Sequence, residues 1–131
     1  MEKIRTLVAH NDEKVKNEII QSIKTLDFVE LIGTANNGKE TFDKIIDLKP
    51  EMVFAKFDME EMNGLEIIKK SKKNLENNTP VFNFIEEDLS EDILKEALET
   101  IGIKMNALVM KPYQDKVINI LEEYKDFKNE K

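Results

Sequence analysis

PEMVFAKFDMEEMNGLEII, Pro50 to Ile68, decides how this chain folds. Met52 to Ala55 is a short apolar run of the kind found in a strand buried on both faces, and Asn63-Gly64 punctuates the turn into a helix that Leu65 and Ile68 would anchor. Lys56 therefore stands where the strand surfaces. The same alternation extends along the whole sequence. Thr6 to Ala9, Val29 to Gly33, Val81 to Ile85 and Ala107 to Met110 read as four further strands. Between them, Val15, Ile19, Ile20, Ile23 and Leu26 recur at helical spacing, as do Phe42, Ile45 and Ile46, and Ile93, Leu94, Ala97 and Leu98. A last helix carries Val117, Ile118, Leu121 and Tyr124. Five strands each followed by a helix require parallel pairing with right-handed crossovers, so helices cover both faces of one sheet. The expected fold is a doubly wound α/β domain.

The chain has 131 residues, enough for one domain that buries roughly two-thirds of its unfolded surface. One domain is expected over residues 1–127, with 128–131 as a frayed tail or the stub of a linker. The charge of −7 comes from 27 acidic and 20 basic residues scattered along the sequence, which argues against a nucleic-acid groove. With no cysteine there is neither disulfide nor thiolate metal site. The apolar runs are far short of a membrane span, and MEKIRTLVAHNDEK lacks a signal-peptide core, so a cytoplasmic protein is expected. There is no Gly-rich phosphate loop, His-rich metal spacing or Gly-x-Ser-x-Gly turn, and no cofactor is expected.

In an open parallel sheet, ligands collect at the carboxyl ends of the strands near the switch in strand order. Those ends are His10-Asn11, Lys56, Ile85-Glu86 and Lys111-Pro112. The pattern resembles the receiver (CheY-like) domain of bacterial response regulators. There a Pro-acidic pair, four apolar residues and an aspartate precede a Met-x-Gly-Leu turn, and Pro50, Glu51, Met62, Gly64 and Leu65 match. The resemblance covers the chain to about Tyr124. It implies a flavodoxin-like, five-stranded parallel sheet in the order 2-1-3-4-5 with five helices.

Carried over residue by residue, the resemblance implies that the phosphoacceptor aspartate is replaced by Lys56. The adjacent acidic residues that hold a divalent cation become His10 and Asn11, with Asp12 one place too late. Reading Asp12-Glu13 as the pair would end the buried strand on Ala9, His10 and Asn11, a poor close. The hydroxyl that meets the phosphoryl group becomes Ile85, and the rotating aromatic becomes Leu108. Lys111 before Pro112 is retained, in a pair whose peptide bond is cis in the family. Phosphoryl transfer needs an anionic oxygen nucleophile and a cation on the equatorial oxygens, and an ammonium supplies neither.

These changes imply a degenerate receiver, or pseudo-receiver, with no catalytic residue and no metal. It would work by protein–protein interaction, independent of phosphorylation, in a two-component (phosphorelay) setting. Its partner would be a kinase, a phosphotransfer protein or an output domain, or it would self-dimerise through the fourth helix (Leu89 to Ile101), the fifth strand and the fifth helix (Gln114 to Phe127). Two other readings stand beside it: phosphate acceptance at Asp58 or His10, and anion sensing by Lys56 with Lys111. Two ammonium groups about 5 Å apart repel by roughly 3 kcal/mol at an effective dielectric of 20. One of Asp12, Asp58, Glu60 or Glu86 is therefore expected to pair with Lys56.

Overall fold

The computed structural model describes residues 2–85, 92, 96, 99, 107–109 and 113–129. Its strands are β1 (Ile4–Ala9), β2 (Val29–Ala35), β3 (Met52–Lys56), β4 (Val81–Ile85) and β5 (Ala107–Val109). They pair in parallel in the order β2-β1-β3-β4-β5, as the resemblance implied. The helices are α1 (Glu13–Lys24), α2 (Gly38–Leu48), α3 (Gly64–Leu75) and α4 (Tyr113–Asn129), the last being the helix expected fifth. The helix expected over Leu89 to Ile101 lies mostly outside the described residues. Only Asp92, Glu96 and Glu99 of it are described, each helical and exposed.

The sheet separates two cores because successive side chains of a strand point to opposite faces. Leu7, Val53, Ala55, Phe82 and Phe84 pack with Ile45 of α2 and with Ile67 and Ile68 of α3. On the other face Val8, Met52, Phe54 and Ile85 meet Ile19 and Ile23 of α1 and Val117 and Leu121 of α4. Both faces are apolar, which is why β3 reads as an unbroken hydrophobic run rather than an alternating one.

Three helices start on side-chain caps that satisfy amide groups the helix itself leaves unpaired. The carboxylate of Asp12 accepts from the Lys14 N–H at 2.9 Å. Asn37 and Asn63 accept from Glu40 and Glu66, three residues on, at 2.8 and 3.1 Å. At the other end of α2, Arg5, the sole arginine, donates from both terminal nitrogens to the carbonyls of Leu48 and Lys49, at 2.5 and 2.7 Å. Lys49 there takes the left-handed conformation with φ 50°.

Ser71 faces the core from α3, and its hydroxyl, fully buried, has no hydrogen-bond partner among the described residues. Ser71→Ala removes that desolvated hydroxyl and improves helix propensity, so it is expected to raise stability by about 1 kcal/mol in urea denaturation.

Helix α4 runs to Asn129, because Glu51, at the mouth of β3, accepts from the Lys128 ammonium at 2.8 Å and from the Tyr124 hydroxyl at 3.0 Å. Burial, and then the Glu51 carboxylate, push the Tyr124 hydroxyl up to about 12 from its ordinary 10.0. The folded state thus holds this proton more tightly than the unfolded chain. Its stabilisation is complete below pH 10 and fades as pH rises toward 12. With partial solvent screening the loss is about 1–2 kcal/mol. Tyr124→Phe is expected to flatten that part of a stability–pH curve, and an unchanged slope would contradict it.

Candidate functional site

The carboxyl ends of β2, β1 and β3 form a polar row. The registers Ala9 with Ala35 and Ala9 with Ala55 bring the next residues, Asn36, His10 and Lys56, side by side on adjacent strands. Adjacent parallel strands lie about 4.8 Å apart, so these groups share one small corner. The structure thus brings together His10 and Lys56, with Asn11 exposed just beyond.

His10 and Asn36 are already committed to local structure. His10 is 5% exposed; its backbone N–H donates to the Ala35 carbonyl at 3.1 Å, and its Nδ1 accepts the Asp12 N–H at 2.9 Å. The ring proton therefore belongs on Nε2. The Asp12 carboxylate is engaged as the cap of α1. Lys16 was not singled out from the sequence, yet it is 5% exposed, and its ammonium donates to the Glu13 carboxylate at 2.7 Å and to the Asn36 side-chain oxygen. That arrangement ties the first turn of α1 to the end of β2. The signal was present: Lys16 precedes Ile19, Ile20 and Ile23 by three, four and seven residues and so falls on the buried stripe.

Lys56 closes β3, partly buried and in register with Ile85. Of the expected ion pairs, none with Asp12, Asp58 or Glu60 is formed. Among the described residues no carboxylate lies within pairing distance of its ammonium; Asp58 and Glu60 are exposed on the following loop, and Glu86 lies outside the described residues. At a strand end a partly buried lysine can extend its ammonium along its aliphatic stem into solvent without a partner. Ile85 is buried against Tyr113 and Val117. Leu108 stands on β5 opposite Phe84. Lys111 and Pro112 lie outside the described residues. Among the described residues, no group of three His, Cys, Asp or Glu side chains is placed to hold a metal ion.

The loop from Phe57 to Asn63 is pinned over this corner. Gly64 donates to the Phe57 carbonyl at 2.7 Å, and Gly38, at the start of α2, donates to the Glu60 carbonyl at 3.0 Å. Phe57 packs edge-on to Phe84 with centroids 5.3 Å apart. Glu61 takes a positive φ of 73°, a conformation ordinary side chains rarely adopt.

No family model matches the chain. A protein-glutamate methylesterase/protein-glutamine glutaminase of Clostridium acetobutylicum is 29% identical over 112 residues, 86% of this chain and 32% of that protein. The signal receiver domain of the putative response regulator NarL from Mycobacterium tuberculosis superposes with TM-score 0.79 at 16% identity, covering 96% of each chain. The fold is that of a response-regulator receiver domain. The response-regulator domain of Thermotoga maritima CheB shares the receiver fold at TM-score 0.75 and 22% identity, over 95% of this chain and 96% of that one. The chain spans about a third of the length of the curated methylesterase it matches, and the match falls on the receiver portion alone. Among the described residues, no helix of this receiver fold is long and apolar enough to cross a membrane.

Proposed function

We propose that this receiver domain is a pseudo-receiver, a two-component signalling module that acts by binding proteins and does not accept a phosphoryl group. The observation that carries this reading is Lys56 at the carboxyl end of β3, in register with buried Ile85 and beside His10. An amine there cannot serve as the anionic oxygen acceptor, and the neighbouring strand end offers an imidazole and an amide rather than two carboxylates. Of the unconventional acceptors, His10 is buried with Nδ1 already accepting a hydrogen bond, and Asp58 projects from the loop rather than from a strand end.

The binding partner on this reading is a kinase, a phosphotransfer protein or an output domain. Incubation with acetyl phosphate and magnesium, followed by intact-mass measurement, is expected to give no phosphoryl adduct. The amide NMR spectrum is expected to stay unchanged on adding beryllofluoride with magnesium. An adduct mapped to Asp58 or His10 would replace this reading with one of phosphotransfer at an unconventional residue.

A further inference from the structure

Helix α3 concentrates positive charge in a chain whose net charge is −7. It carries Lys69, Lys70, Lys72 and Lys73 against a single Glu66. Ile67, Ile68 and Ser71 face the core, and Lys69, Lys70 and Lys73 are exposed on the opposite side, where they form one solvent-facing stripe. Lys69 with Lys73, and Lys70 with Lys73, stand one turn apart, where like charges destabilise a helix.

Among the described residues, nothing offsets that repulsion: none of Lys69, Lys70 and Lys73 forms an ion pair. The neighbouring α2 is built differently, with both of its lysines matched to acids one turn away, Lys39 to Asp43 at 2.9 Å and Lys44 to Glu40 at 3.4 Å. Lys72 is already engaged within the protein. The helix macrodipole favours cations in the last turn and so accounts for Lys72 and Lys73. It fades beyond that turn and does not account for Lys69 and Lys70.

We propose that this stripe binds an acidic peptide segment of a partner protein. The stripe is one helix wide. Helix α2, packed on the same core, shows Asp43 and Asp47 to solvent, so a broad anionic body such as a membrane or a nucleic-acid duplex meets those acids together with the lysines. Entry into a lipid interface also calls for apolar side chains beside the basic ones. Among the described residues the exposed large hydrophobe is Phe127, on α4, which packs on the other face of the sheet. A slender segment touches the lysines alone. Lys69 and Lys73 lie about 6 Å apart along the helix axis, the spacing of carboxylates at i and i+4 on a partner helix. Carboxylates at i and i+2 of an extended segment, about 6.6 Å apart, match nearly as well. The inference rests on the reading of this domain as a protein-binding module and is independent of the chemistry at Lys56.

Amide NMR of the whole chain, titrated with an oligoglutamate peptide, tests it. Shifts are expected to concentrate on Glu66 to Leu75 with a Kd of about 1 mM at about 0.05 M salt, weakening about tenfold at about 0.5 M. K69Q/K73Q is expected to weaken binding about tenfold. K14Q/K24Q removes two exposed lysines from α1, on the opposite face of the sheet, and is expected to bind within about twofold of the unaltered chain. Glutamine keeps the helix propensity of lysine, and the spectrum of each variant reports its fold directly. Vesicles of mixed phosphatidylcholine and phosphatidylserine, and single-stranded oligothymidylate, are expected to leave the α3 signals in place. Shifts that bypass α3, equal binding by the two folded variants, or a response of α3 to vesicles or oligothymidylate at lower concentration than to the peptide would each overturn the proposal. None of these results alters the intact-mass measurement with acetyl phosphate, so the stripe and the protein-binding reading fail separately.

Discussion

Gly38→Ala is expected to destabilise the protein by about 3 kcal/mol or more. A Cβ built at Gly38 falls 1.7 Å from the carbonyl oxygen of Met62 and 2.6 Å from its carbonyl carbon. Both are backbone atoms, so no side-chain rotation relieves the overlap. Either the loop over the strand ends lifts away or the first turn of α2 moves, and the hydrogen bond from Gly38 to Glu60 goes with it. Gly33 is the control. Its added Cβ would meet the flexible end of Leu48 at 3.1 Å, and Gly33→Ala is expected to cost under about 1 kcal/mol. Urea denaturation of the pair decides the matter, since equal midpoints would mean that α2 and the loop are not seated as described.

The second large effect is chemical. Replacing His10, Asn11 and Lys56 together by aspartate is expected to create magnesium binding with a Kd of about 1 mM, near 4 kcal/mol of binding free energy. It is also expected to yield a phosphoryl adduct from acetyl phosphate. An aspartate at position 10 can accept the Asp12 N–H as the imidazole does, so the turn into α1 survives the change. Lys56→Asp alone is expected to do neither, because one carboxylate beside an imidazole and an amide does not hold a hard cation. Isothermal titration with magnesium and intact-mass measurement check both variants. Phosphorylation of the single variant would show that the imidazole–amide corner does not limit the chemistry and that Lys56 alone blocks it.

The sheet was legible because it is written in two periodicities. Apolar runs at Thr6 to Ala9, Met52 to Ala55 and Val81 to Ile85 match β1, β3 and β4 to within two residues, and Asn37 and Asn63, each followed three residues later by a glutamate, mark where α2 and α3 begin. The ends were less legible. Strand β2 continues past Gly33 to Ala35, and α4 continues past Phe127, in each case because the extra residues are held by contacts distant in sequence. The same limit explains why Lys56 is not paired with Asp12 or Glu60. Sequence proximity placed Asp12 and Glu60 at the rim, but Asp12 is taken by the helix cap and Glu60 points to solvent.

Local pattern, then, determined the order of elements, the two-faced core and the identity of the residue closing β3. Those follow from side-chain polarity and period, which act over a few residues. Tertiary structure alone decided which polar groups meet. The registers that align Asn36, His10 and Lys56, the burial of Lys16 against Glu13 and Asn36, and the grip of Glu51 on Tyr124 and Lys128 all arise from strand pairing and helix docking. Hydrogen bonds and ion pairs depend on distances of a few ångströms between residues far apart in the chain, and only the packed fold fixes those distances.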